Sequence, residues 1–301
     1  MTGKVGFIGL GAMGGPMALN LVKGGFGLVV NDIDEARMEP LKAKGAEVAA
    51  SAQAVGAVTD RTIVIVETTE QAESVIIGAH GIIRGARPGH VVICMSTIDP
   101  FAAQSFADRL AALDIGMLDA PVSGGTGRAQ SGELSIIAGG APDVFVRCQD
   151  LFAAMGSRSF HVGPLGSGLA MKLVNNMLVQ VNTVAVAEAL VLGVKAGLDP
   201  QTMYEVVRVS TGTSAAWELR VPRILQGDYE PGGTVDISYK DQELETAFAK
   251  SLGVPLLLAN VTQQVYQMAR ARGLNKKDGS AIVKVFEQLA GVSVREGKKT
   301  Q

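Results

Sequence analysis

The chain has 301 residues, 47% of them apolar and 19% charged, with 27 basic and 29 acidic side chains and a formal net charge of −2. That length supports two domains with sizeable cores, and that apolar fraction excludes a disordered chain. The near-balanced charge argues against nucleic acid or an anionic membrane surface as the main partner.

The first apolar run, Lys4-Val5-Gly6-Phe7-Ile8, reads as a short buried strand. It runs into Gly9-Leu10-Gly11-Ala12-Met13-Gly14 and then a helical stretch over 16–23. This is a G-x-G-x-x-G turn in its strand–turn–helix setting. Gly9 permits the tight turn, Gly11 lets the backbone approach a pyrophosphate, and Gly14 lets helix and strand pack closely. Ala12 and Met13 complete the turn, where the helix N-terminus offers N–H groups to phosphate. The second strand, 28–31, ends at Asp32, about twenty residues past the turn, where a carboxylate accepts from ribose hydroxyls and repels a 2′-phosphate. No arginine directly follows it. The expected cofactor is therefore NAD, with NADP as the second choice. Asp32 or Asp34 also suits the cap of a helix beginning at Glu35.

Further strand-like runs fall at 62–66, 91–95, 116–119 and 135–138, with helical stretches at 71–77 and 100–113 among them. The alternation predicts an α/β domain, a mostly parallel doubly wound sheet, over 1–163. Ligands then lie beyond the carboxyl ends of the strands. Asp119-Ala120-Pro121-Val122-Ser123-Gly124-Gly125 follows one such strand. Its serine hydroxyl and the N–H groups of two glycines suit a carboxylate, though an ordinary Ser-Gly turn reads the same way.

From the glycine-rich boundary at 163–168 the pattern becomes helical, predicting an all-α domain over 164–301. A long helix runs from about 169 to 195. Asp199-Pro200 starts the next, and others follow at 217–224, 241–252, 256–272 and 279–289. On the long helix, Gly168, Lys172 and Asn176 lie four apart on one face, with Gly168 expected to leave open space before Lys172. A desolvated lysine has a lowered pKa suited to proton transfer near neutrality. A lysine stem along the core with its head in solvent gives the same pattern. The helix is expected to be a buried core helix, because Gln180, Asn182 and Glu188 interrupt its richest apolar stretch, and no run is expected to span a membrane. Lys240 reads as a charged helix start, and Trp217 as a packing residue.

Cys94 and Cys148 are the two cysteines in the sequence. They give neither a disulfide framework nor zinc spacing, and the three histidines form no ligand motif, so no metal is expected. A reducing, cytoplasmic location follows. The basic tail 295–299 reads as a solvated end.

Taken together and in order, the glycine turn, the Asp119–Gly125 segment (followed by Ala129, Gly132 and Leu134), Gly168–Asn176 and Lys240-Asp241 resemble the motifs of the β-hydroxyacid dehydrogenase family along essentially the whole chain. The resemblance implies a Rossmann domain joined by a long helix to a helical domain, paired as a homodimer or homotetramer. It implies Lys172 as general acid/base and Asn176, with Asn175, as substrate-orienting. It implies Ser123, Gly124 and Gly125 as carboxylate binders. Val66, Thr68, Thr97 and Lys240 would join Gly9–Gly14 and Asp32 around the cofactor. Glu67 departs from the apolar or proline-bearing loop common in the family, and Gln242-Glu243 from a usual leucine. The implied substrate is a small 3-hydroxy acid. Trp217–Arg220 and Gly227–Pro231 resemble members acting on polyhydroxylated acids such as threonate, with Arg220 as a candidate substrate contact. The family resemblance also admits NADPH-dependent reduction of an aldehyde acid such as tartronate semialdehyde. A non-catalytic dinucleotide-binding module is the remotest reading, because the lysine and the Ser-Gly-Gly segment are both present.

Overall fold

A computed structural model describes residues 3–295 and the backbone of residues 298 and 299. The chain forms two compact units, Met1–Lys172 and Leu173–Gln301.

In chain order the first unit holds β1 (Val5–Ile8), α1 (Gly14–Lys23), β2 (Leu28–Asn31), α2 (Glu35–Lys42), β3 (Glu47–Val48), α3 (Ala52–Val58), β4 (Arg61–Val64), α4 (Thr69–Ile77) and β5 (Val91–Cys94). There follow α5 (Pro100–Ala111), β6 (Gly116–Asp119), β7 (Val122–Ser123), α6 (Gly125–Ser131), β8 (Leu134–Gly140), α7 (Pro142–Val146), α8 (Gln149–Met155) and β9 (Gly156–Gly163). The nine strands make one sheet in the order β3-β2-β1-β4-β5-β6-β8-β7, with β9 on β8. Strands β3 to β6 along this path run parallel, whereas β8 is antiparallel to β6 and β7.

The central strands β1, β2, β4, β5 and β6 are buried on both faces, which explains why they read as unbroken apolar runs. Side chains alternate between two cores. Phe7, Val30, Ile63 and Ile93 face one, and Ile8, Val29, Val64 and Cys94 face the other. The chain leaves β1 for β2 and β3, then returns to β4 on the other side of β1. The direction of winding therefore reverses between β1 and β4, and ligand crevices form at such a switch point. Strands β4 and β5 end at Val64 and Cys94. Both stop before the residues expected from the sequence, so Val66 and Thr97 lie in the loops beyond them.

Helix α9 (Ser167–Lys195) begins in the first unit and continues into the second. It is the one helix among the described residues long and apolar enough, by length and composition, to cross a membrane, but half of that window is buried within the chain. Val184, Ala187, Leu190, Val191 and Val194 enter the core of the second unit, as a core helix requires. The division into units falls within α9, one helical turn past the glycine-rich turn of 163–168.

The second unit adds α10 (Pro200–Arg208), α11 (Ala215–Gln226), α12 (Val235–Ser251), α13 (Leu257–Ala271), α14 (Val283–Ala290) and a two-residue ladder, β10 (Val292–Ser293) with β11 (Lys298–Lys299). Its core surrounds Trp217 and Tyr266. Helix α12 starts earlier than the sequence implies. Thr234 caps it by accepting from the Ile237 N–H at 3.2 Å, so Lys240 sits inside the helix and not at its start. The helix expected over 279–289 opens with a short 3-10 turn, Gly279–Ile282, before α14. Arg295 is exposed, and the remaining side chains of the basic tail lie outside the described residues.

Candidate active site

The glycine turn between β1 and α1 is built for close approach. A Cβ at Gly9, where φ is +93°, would lie 2.1 Å from the Ile65 carbonyl oxygen, and one at Gly14 would lie 2.0 Å from that of Gly9. Both contacts are with backbone, so neither position accepts a side chain. Gly11 differs, because the nearest atom to its Cβ position is Arg37 Nη1 at 3.4 Å, so the backbone there is bare. Met13 caps α1 without a side-chain hydrogen bond, and the first turn carries no acid. An uncapped N-terminus beside bare backbone fits a pyrophosphate. The residues present therefore fit a dinucleotide.

Asp32 and Asp34 divide two roles. Asp34 caps α2 by accepting from the Ala36 N–H at 3.1 Å. Asp32 stands at the end of β2, where its Oδ2 accepts from the Leu10 N–H at 2.6 Å and its Oδ1 from the Asp34 N–H at 2.9 Å. Each oxygen keeps a further lone pair for a ribose hydroxyl. Arg37 reaches back to the glycine turn and pairs with Asp34 at 3.2 Å.

Beyond β4, the Val66 N–H donates to Ser96 Oγ at 2.7 Å, which ties the two loops after β4 and β5 together. Thr68 caps α4, its hydroxyl accepting from the Gln71 N–H at 3.2 Å in a reciprocal capping box. Thr97 is half-buried beside Ser96, and Glu67 is exposed.

Ser123 pairs with Ser135 across β7 and β8 and is half-buried. Gly124 and Gly125 adopt φ of +136° and +68°, conformations that favour glycine, and α6 starts there without a side-chain cap. The Arg128 side chain lies against Gly124, 2.8 Å from the position a Cβ there would take.

Lys172 lies half-buried on α9 with Asn176 one turn later. Asn176 is held from two sides. Its Nδ2 donates to Asp241 Oδ2 at 2.7 Å, and its Oδ1 accepts from Asn175 Nδ2 at 3.3 Å. The buried Asp241 carboxylate also pairs with Lys240 at 3.0 Å. One acid therefore connects two of the residues singled out from the sequence.

Gly168 does not leave open space. A Cβ there would lie 2.5 Å from the Ile137 carbonyl oxygen and 2.6 Å from that of Asp119, so the glycine lets the start of α9 press against the sheet. Arg220 has a structural partner. It is buried and pairs with the fully buried Asp278 at 2.7 Å. Burial pushes the Asp278 carboxyl up, but Arg220, Ser280 and Arg223 together hold it below the usual range. Trp217 packs in the core and donates to the Tyr204 carbonyl at 3.4 Å.

Asp119 and Asp241 lie inside recognisable sequence motifs, yet the sequence alone gives neither a role. For Asp119 a signal existed, since an acid closing an apolar strand is buried and buried acids are rarely without partners.

Comparison with known proteins decides what this arrangement belongs to. Residues 4–163 match the NAD-binding domain of 6-phosphogluconate dehydrogenase, and residues 166–286 match the NAD-binding family of NADP-dependent 3-hydroxyisobutyrate dehydrogenase. The chain is 40% identical over 296 residues to 2-(hydroxymethyl)glutarate dehydrogenase of Eubacterium barkeri, covering 98% of each chain. It is 36% identical to L-threonate dehydrogenase of Cupriavidus necator, covering 95% of this chain and 97% of that one. The chain belongs to the β-hydroxyacid dehydrogenase family. The crystal structure of 3-hydroxyisobutyrate dehydrogenase from Salmonella typhimurium superposes with a TM-score of 0.84 at 34% identity, covering 94% of this chain and 99% of that one. The Mycobacterium tuberculosis 3-hydroxyisobutyrate dehydrogenase gives 0.86 at 28% identity, with the same coverage. This β-hydroxyacid dehydrogenase is thus an NAD(P)-dependent oxidoreductase acting on a small hydroxy acid.

Proposed function

We propose that this dehydrogenase oxidises a small 3-hydroxy acid of the 3-hydroxyisobutyrate type with NAD, using Lys172 as general acid/base. The observation that carries the reading is Asn176, one helical turn from Lys172 and held in one orientation by Asp241. Ser123 Oγ and the Gly124 and Gly125 N–H groups bind the substrate carboxylate. Asn176, with Asn175, orients the hydroxyl. When bound, NAD(P) supplies the hydride acceptor. The neutral Lys172 amine takes the hydroxyl proton as the C–H bond yields its electron pair, leaving an aldehyde acid and an ammonium. In reduction the same ammonium returns the proton.

The names of two relatives support this substrate class. Both 3-hydroxyisobutyrate and 2-(hydroxymethyl)glutarate are 3-hydroxypropanoates substituted at carbon 2, with a primary hydroxyl on carbon 3. Asp32 at the end of β2 supports NAD. Arg37 beside Gly11 favours the second reading, a 2′-phosphate bound as NADP, but Asp34 already pairs with it. Gly9, Gly11, Ala12, Met13 and Gly14 cradle the pyrophosphate, with Val66, Thr68, Thr97 and Lys240 as further cofactor contacts.

The helical domain, 164–301, serves substrate binding and self-association into a homodimer or homotetramer. Along α9, Met171, Val174, Leu178 and Leu192 are 47%, 52%, 53% and 73% exposed, an apolar stripe suited to a second copy. The buried, unpaired thiols Cys94 and Cys148 support a reducing, cytoplasmic setting. Neither nucleic acid nor a membrane is among the proposed partners.

The test is NADH or NADPH production from 3-hydroxyisobutyrate, 2-(hydroxymethyl)glutarate, threonate and glycerate with each cofactor. The expected result is the highest kcat/KM for a 2-substituted 3-hydroxypropanoate with NAD. A clear preference for NADP would overturn the reading of Asp32, and turnover of threonate alone would overturn the substrate class.

A further inference from the structure

The end of β6 meets the start of α9 through one side chain. Asp119 is fully buried. Its Oδ1 accepts from the Gly166 N–H at 2.8 Å and its Oδ2 from the Leu169 N–H at 2.7 Å. The carboxylate therefore caps α9 from a strand of the sheet, far back along the chain. Three glycines make the site. A Cβ at Gly139 would lie 2.5 Å from Oδ1, one at Gly168 would lie 2.9 Å from Oδ2, and Gly166 turns with φ of +90°. Burial pushes the carboxyl up to about 6, against the backbone N–H groups that pull it down. The titratable neighbour is the Cys94 thiol, pushed up to about 12 by burial, with the Asp119 charge contributing.

Lys172 stands less than one helical turn beyond Leu169. We propose that Asp119 is a positioning residue for Lys172: its carboxylate fixes the first turn of α9 against the sheet, and its charge offsets the positive helix end next to the lysine. The inference rests on Lys172 being the acid/base. A buried anion at a helix N-terminus is favourable. A reacting group displaced by about 1 Å loses on the order of 100-fold in rate.

The test compares Asp119→Asn, Asp119→Ser and Lys172→Ala with the unmodified dehydrogenase. Asparagine keeps the shape but loses the charge and turns one acceptor into a donor, and serine keeps a shorter capping acceptor. The expected result for either Asp119 variant is NADH affinity within about twofold and kcat lowered by about 10- to 100-fold. The acid limb of the kcat/KM profile for oxidation should also move to lower pH by about 0.5 unit, because losing a nearby anion favours the neutral amine. A purely structural role would lower the melting temperature but leave kcat and the pH limb unchanged, and that result would overturn the proposal, as would failure of both Asp119 variants to fold. If Lys172→Ala is inactive while Asp119→Asn behaves as wild type, only the positioning inference fails. If Lys172→Ala retains turnover, the acid/base assignment itself fails.

Discussion

Asp32 combines a structural bond with its proposed role toward the cofactor ribose. It holds the glycine turn through the Leu10 N–H and still has lone pairs facing the crevice. Asp32→Ala removes both functions. The expected outcome is a fall in kcat/KM for NAD of about 10- to 100-fold, the scale of a lost hydrogen bond to a charged group. NADP should be affected less, because its 2′-phosphate no longer meets an anion and Arg37 remains beside Gly11. Steady-state assays with both cofactors check this, and an equal loss for both would show that Asp32 acts only through the turn. The sequence pointed to Asp32 by spacing but left open whether it or Asp34 capped α2. The hydrogen bonds separate the two, because only Asp34 reaches the Ala36 N–H.

At the scale of elements, what was legible is what carries its own periodicity. Strands β1, β2, β5 and β6 are apolar runs bounded by glycine or acid, and α9 is a long apolar pattern. Strand β9, Gly156–Gly163, is largely exposed and forms through its pairing with β8, so its residues show no alternation. Helix α6 contains two glycines, which lower helix propensity, and it too was invisible in the sequence. The placement of Lys172 and Asn176 one turn apart was legible because their spacing lies within one helix. The partners of Asp119 were not, since the donors are backbone N–H groups far along the chain. The burial of Arg220 was not legible, because a buried ion pair leaves no mark in sequence. Helix α11 presents Arg220 to Asp278, where the Gly232, Gly233 and Ser280 N–H groups also converge. Removing Arg220 leaves the buried Asp278 charge with Arg223, at 22% side-chain exposure, as its remaining cation among the described residues. Arg220→Met should therefore destabilise the protein by about 3 kcal/mol in urea unfolding while leaving the substrate KM unchanged. A raised KM without loss of stability would restore Arg220 to the substrate site.

On the scale of the whole molecule, the chain divides into two units. The first supplies a doubly wound sheet whose switch point lies at the glycine turn, and the second supplies a helical core around Trp217 and Tyr266. Helix α9 runs through both and carries Lys172 and Asn176. The fold was legible at this scale because strand–helix alternation gave way to helices alone, and the order of motifs pointed to the family. Chemistry at Lys172 is the central proposal, and it is separable from cofactor binding because the residues proposed to cradle the phosphates are others. The most direct measurement is turnover of Lys172→Ala alongside its affinity for NADH by fluorescence titration. The account predicts turnover lost by several orders of magnitude with NADH affinity nearly unchanged. Near-normal kcat in that variant would contradict it.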